Sequence, residues 1–305
     1  MAAVPKWTRR PPIAGLALLG LLALWIAGRA TMLLDGHTFI DLLYLPALAL
    51  AVDIGRARNS PNYQVPAMLL GLAVLNGLYH YYDPTLALRA AVLLIVALIT
   101  LIGGRIIPAF TQNALRLEGG LQVTCRTPRA LDLLAVPSVV LVLMLEMVSA
   151  TGPASGIASM TAALILGARM LGWRSLATWR LPLVWILHIG YLWVPIGFLL
   201  NGIAQLGGPV DQSQVLHVFT VGAIGTMILA VASRAALGHS GRPLQAGPWT
   251  IIAYLLVIAA TLVRICLASA DAMVIAGTLW TLGYGVFAVT YWPVLTKPRI
   301  DGLPG

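Results

Sequence analysis

The chain has five histidines among 305 residues. Imidazole is the side chain that most readily binds a transition metal or passes a proton near neutral pH. His188 lies in "VWILHIGYLWVP", flanked by Trp185 and Tyr191 at i−3 and i+3. Once buried, it could hydrogen-bond a neighbouring helix. It could equally bind a metal through one ring nitrogen while an acceptor holds the other. His217 opens "HVFTVGAIGTMILAVASR", where Gly222, Ala223 and Gly225 would admit a second helix or a flat cofactor against the backbone. Thr220, Met227 and Arg234, spaced by seven, are expected on one face, with His217 rotated away. His80 ends "NGLYHYYD" and could join His217 and His37 in an outer cluster. For His37, an interfacial belt with Tyr79, Tyr81 and Tyr82 is the stronger reading. His239 stands between Arg234 and Arg242 in "SRAALGHSGRPL". Gly238 and Gly241 suit a helix stop and tight turn, so His239 reads as part of a cap or of a site. "GGRIIP", 103–108, reads as a second glycine-rich turn carrying Arg105. The two turns together could form an anion-binding or cofactor-capping surface.

The elements that must position these residues are membrane helices. The chain is 59% hydrophobic and 10% charged, against about 25% charged in a soluble domain. Apolar runs near span length recur from end to end. Strand-like alternation is absent, and backbone groups in lipid need internal partners, so the fold class is an all-α polytopic bundle. Ten spans are expected, near 13–33, 38–54, 63–81, 86–107, 131–150, 153–171, 182–205, 214–237, 249–268 and 272–292. Short connections point to a single bundle domain over 1–305. The first run, after Lys6, Arg9 and Arg10, is read as a span rather than a signal peptide, because Gly28 and Arg29 interrupt the region of a cleavage site. Cys125 and Cys266 fall on opposite sides of the membrane and are read as free thiols.

The net charge of +9 is distributed by loop. Basic residues gather at the N-terminus, at Arg56 and Arg58, at Arg105, Arg116, Arg126 and Arg129, at Arg169, Arg174 and Arg180, at Arg234 and Arg242, and at Lys297 and Arg299. The intervening loops carry Asp35, Asp83, Asp211 and Asp271. This is the positive-inside pattern, which puts both termini in the cytoplasm and removes the argument for a nucleic-acid partner. Arg29, Arg89 and Arg264 break the order near outer span ends, at the depth of Asp35, Asp41, Asp83 and Asp271. They suit interfacial ion pairs, snorkelling, or a pocket for an anionic group. Phosphate-loop, nucleophile-elbow and zinc-protease motifs are all missing from the sequence. No paired-carboxylate motif supports a proton-relay role for Glu146.

Taken together, "LHVFTVGAIGTMILAVASRAALGHSGRPL" (216–244) resembles the signature segment of the NnrS family. "VPKWTRRPP", "GGRIIPAFTQN", "LHIGYLWVPIGFLL" and "YWPVLTKPRIDGLPG" extend the resemblance along the chain. It implies a haem- and copper-containing bacterial inner-membrane protein of the nitric oxide and nitrosative-stress response, found in denitrifiers and others. It also implies two further spans with a His-x-His-Glu-Met element ahead of "VPKWTRRPP", which this sequence does not contain. Those histidines are candidate metal ligands, which makes cofactor loading of this sequence a point to test. The resemblance makes His188, His217 and His239, with Arg105, Arg234, Arg242 and Arg264, candidates for cofactor binding. His80 joins the three histidines as a candidate metal ligand. Lipid, nitric oxide or a related small molecule, and respiratory electron carriers are the expected partners. A transporter or metal-handling permease, with interrupted spans around a midplane site, is the alternative. An assembly partner of a respiratory complex is a third reading.

Overall fold

A computed structural model of the chain describes residues 13–34, 39–52, 63–119, 123–148, 152–267 and 269–302. Lys6, Arg9, Arg10, Asp35, His37, Arg56, Arg58 and the stretch "VPKWTRRPP" lie outside the described residues. Among those described, a helix stands at each expected span and no strand occurs. The helices are α1 (Gly15–Leu33), α2 (Phe39–Val52), α3 (Gln64–Tyr81), α4 (Pro84–Gly119), α5 (Arg129–Val148), α6 (Pro153–Leu171) and α7 (Pro182–Gln205). A 3-10 turn, Ser175–Thr178, precedes α7. The eighth span is composite: α8 (Gln212–His217), a π-helical segment (Val218–Gly225) and α9 (Thr226–His239). Two more helices follow, α10 (Pro248–Cys266) and α11 (Ala270–Thr296). Eight of the segments are long and apolar enough to cross a membrane. Of the others, α2 is shorter, and α3 is diluted by Gln64, Asn76 and His80.

The described chain falls into two compact units, Met1–Leu94 and Ile95–Gly305. In the first, α2 packs on both α1 and α3. Gly28 lets α1 approach, since a Cβ there would lie 3.1 Å from the Asp41 backbone. In the second, α6 packs between α5 and α7, and α10 pairs with α11. Its core gathers Trp173, Ile186, Leu187, Tyr191, Tyr254 and Tyr291.

Three sequence expectations give way to the helices themselves. "GGRIIP" is not a turn but the middle of α4, which runs 36 residues through Pro108. Its glycines serve side-chain packing. A Cβ on Gly103 would sit 3.0 Å from the Tyr191 ring, and one on Gly104 would sit 2.1 Å from the Arg169 guanidinium. The common face of Thr220, Met227 and Arg234 fails because the π segment intervenes, and i→i+5 bonding breaks the 3.6-residue period. Trp185 does not flank His188 with Tyr191. It packs edge-on against Tyr254, with centroids 5.9 Å apart.

Two of the loop aspartates, Asp83 and Asp211, cap helices. Asp83 Oδ1 accepts from the amides of Thr85 and Leu86, at 2.8 and 3.0 Å, and so caps α4. Asp211 forms a capping box with Gln214 at the start of α8. Carboxylates placed there satisfy free amides and oppose the positive end of the helix dipole.

Candidate functional site

Among the described histidines, His80 and His217 are each held through one ring nitrogen by an oxygen acceptor, His80 by the Asp41 carboxylate and His217 by a backbone carbonyl. The Asp211 capping box starts α8, and His217 closes it just before the π segment. Its Nδ1 lies 2.6 Å from the Ser213 carbonyl oxygen. A carbonyl only accepts, so Nδ1 carries the proton and Nε2 presents a lone pair. No described residue bonds Nε2. An imidazole oriented through one nitrogen with the other free is the arrangement of a metal-binding histidine.

Ser213 also anchors Arg264. The guanidinium donates through Nη2 to Ser213 Oγ at 3.0 Å. Arg264 is only 8% exposed, and its Nε has no partner among the described residues. A buried guanidinium without a carboxylate beside it suits an anionic ligand. The structure thus brings together His217 and Arg264, two separately expected site residues. Ser213, the residue joining them, was missed, and an isolated serine in a short polar loop gives no sequence signal.

The π segment continues from this corner. Gly222 faces Trp193 and Thr261, whose nearest atoms would lie 2.9 and 3.0 Å from an added Cβ. The small residues therefore serve helix approach. The Gly225 carbonyl accepts from the Tyr284 hydroxyl at 2.8 Å. Trp193 Nε1 and Thr226 Oγ1 are buried without partners among the described residues. Buried polar groups are rarely left so, and π segments recur at functional sites.

His188 is held differently. It is buried, and both its ring nitrogens meet hydroxyls: Nε2 to Thr111 Oγ1 at 2.8 Å and Nδ1 to Ser175 Oγ at 2.9 Å. Thr111 donates its proton to the Ile107 carbonyl at 2.8 Å. Nε2 then donates to Thr111, and Nδ1 accepts from Ser175. Neither nitrogen offers a free lone pair, so His188 ties α4, α7 and the 3-10 turn together. Trp173 stands edge-on to His188 at 6.2 Å and to Tyr191 at 4.7 Å.

Above that histidine lies a charged knot that the loop-by-loop charge pattern concealed. Arg169 is buried, and it donates to Asp132 Oδ1 (2.7 Å), the Thr100 carbonyl (2.9 Å) and the Tyr191 hydroxyl (3.2 Å). It joins α4, α5, α6 and α7 at the position Gly104 leaves open. The signal was an arginine inside "LILGARML" with an aspartate, Asp132, in the first turn of the preceding helix.

The remaining candidates scatter. His80 faces Asp41 through Nε2 at 3.3 Å, within the first unit. Asp41 is 2% exposed, ion-paired with Arg29, and accepts from Asn76 Nδ2 at 2.8 Å. Arg29 therefore has the interfacial ion-pair role. His239 is exposed at the last position of α9. The Arg242 amide bonds the Leu237 carbonyl at 2.9 Å and the Gly241 amide bonds Gly238 at 3.4 Å, with Gly241 at φ +71°. This is a Schellman cap. The tail docks on it, with the Ile300 amide on the Ser240 carbonyl (3.3 Å) and Arg242 Nη1 on the Val294 carbonyl (3.3 Å). Arg105 is exposed on α4. Arg234 stacks over Phe110 at 4.1 Å. Outside the spans, Cys125 donates to the Trp173 carbonyl at 3.4 Å, and burial pushes its thiol above the ordinary range. Cys125 and Cys266 are both free.

The helices define a multi-pass membrane protein. A family model described as NnrS protein matches residues 1–299. The chain belongs to the NnrS family. No curated protein and no solved structure matches it.

Proposed function

We propose that the chain binds haem at its outer corner and acts in the nitric oxide response at the bacterial inner membrane. The carrying observation is His217, with Nδ1 fixed to Ser213 and Nε2 free. Family membership supports the haem reading. The residues present fit the group, because one imidazole lone pair can reach iron and a buried guanidinium can pair a propionate. Bound haem would supply an iron centre able to take nitric oxide and to change oxidation state.

The protein side of this chemistry is positional. The Ser213 carbonyl keeps the proton on Nδ1 and raises the basicity of Nε2. Ser213 Oγ turns Arg264 toward the same corner. Gly222 keeps α7 and α10 close against the π segment. Electron donors would be respiratory carriers at the same membrane.

Copper fits the described residues less well. No group of three His, Cys, Asp or Glu among them could hold a metal ion. The permease alternative keeps the composite eighth span as its support, whereas α7 runs unbroken through Pro195.

The test is haem titration of the detergent-purified chain, read by absorption. The reading expects saturable binding at one equivalent and a Soret band that shifts on adding nitric oxide. Arg264→Gln should weaken haem affinity about tenfold or more. A featureless titration would remove the proposal.

A further inference from the structure

A second opening lies in the larger unit, far along α4 from any histidine of that site. A cleft of about 650 Å³ is lined by the end of α4, the entry to α7, Arg234 of α9, and residues 243–246. Its polar lining is Arg180, Arg234, Asn113, Gln245 and Glu118, and the rest of the lining is mostly apolar. Arg234 is half-buried on the Phe110 face, and no ion pair holds it among the described residues. Arg180 lies over Trp179 at 4.5 Å and is likewise without a carboxylate among the described residues.

Depth identifies the setting. At about 1.5 Å per residue, 36 residues of α4 run roughly 54 Å, whereas the hydrocarbon layer is about 30 Å thick. The last turns of α4 must therefore stand in the headgroup layer, and the cleft with them. The basic loops put this end on the cytoplasmic side. Two guanidiniums in a mostly apolar lining at that level match a phosphate with acyl chains attached. Basic pockets between helices on this side recognise anionic headgroups.

We infer that this cleft binds the phosphate of an anionic phospholipid from the cytoplasmic leaflet, clamped by Arg180 and Arg234. No histidine lines it, so haem placed there would find no imidazole ligand. A lipid role for Arg234 is an alternative to the cofactor role expected from the sequence, and it does not depend on haem at His217.

The experiment uses the full chain in mild detergent with fluorescent phosphatidylglycerol and phosphatidylcholine. Phosphatidylglycerol should bind about tenfold or more tightly. Arg180→Gln and Arg234→Gln should each erase most of that preference, and Arg234→Lys should retain it. Thermal unfolding of each variant checks that the fold is intact. Equal affinity for the two lipids would overturn the inference. So would inorganic phosphate displacing the probe at micromolar concentration, which would mark a free-phosphate site. So too would Arg234→Gln losing haem while keeping lipid preference.

Discussion

At the residue scale, the decisive property of each histidine is which nitrogens are already committed. Among the described histidines His188 is the most buried, yet two hydroxyls close both its nitrogens. His217 sits in a less conspicuous place and keeps one lone pair. The hydroxyl and carbonyl partners Thr111, Ser175 and Ser213 carry no recognisable spacing, so this distinction was not legible in the sequence. The same holds for Gly104. Alone, Gly104→Ala should favour a helix by about 1 kcal/mol. Here the new methyl would strike a guanidinium that Asp132, Thr100 and Tyr191 already fix. Asp132 is partly exposed, so the cost is that of overpacking against Arg169, about 1–3 kcal/mol. We expect a net loss of about 0–2 kcal/mol in unfolding measured in detergent. Gly167→Ala, with nothing within 4 Å of the added carbon, should be neutral or slightly stabilising. Cys125 gives a pH-dependent check. Its raised thiol pKa leaves less thiolate at any given pH. Its alkylation should be slower than that of a free thiol at pH 8 and keep accelerating as pH rises beyond the ordinary thiol range. Ordinary alkylation kinetics at pH 8 would contradict the burial described.

At the element scale, the composite eighth span carries the account. Apolar runs placed a helix at each expected span among the described residues, eight of them long and apolar enough to cross a membrane, because hydrophobicity over about 20 residues is a strong signal. They did not reveal the π segment, since one added residue per turn leaves composition unchanged. They misread "GGRIIP", since two glycines before an arginine and a proline have the composition of a turn. Tertiary packing of Tyr191 and Arg169 overrode that local preference. The glycines that let helices meet are the sensitive points. Gly222→Ala would push against Trp193 and Thr261 and should cost about 1–3 kcal/mol. If the π segment aligns His217, the same change should also weaken haem binding. Unaltered stability and haem affinity would show that this contact is slack.

At the scale of the whole molecule, charge placement and helix composition agree on a multi-pass membrane protein of the NnrS family. The charge pattern makes a further prediction, that both termini face the cytoplasm. Green fluorescent protein fused after Gly305 should fluoresce, and alkaline phosphatase at the same point should be inactive. Reporters inserted between Gly207 and Asp211 should behave the other way round. A reversed outcome would invert every assignment of inner and outer ends, including the placement of the lipid cleft. The tail itself should tolerate fusion, since Ile300 and Arg242 tie residues 294–300 to the α9 cap upstream of the fusion point.

The most direct test of the central claim is a set of absorption spectra of purified chain loaded with haem. Wild type, His217→Ala, His188→Ala and His239→Ala would be compared, oxidised and reduced. The account predicts that only His217→Ala loses the ligand-field signature or the Soret band. His188→Ala should keep the spectrum while losing stability, because two hydrogen bonds disappear from a buried cluster. His239→Ala should change neither. A His217→Ala protein with an unchanged spectrum, or a His188→Ala protein that folds but loses its haem, would contradict the assignment of the site.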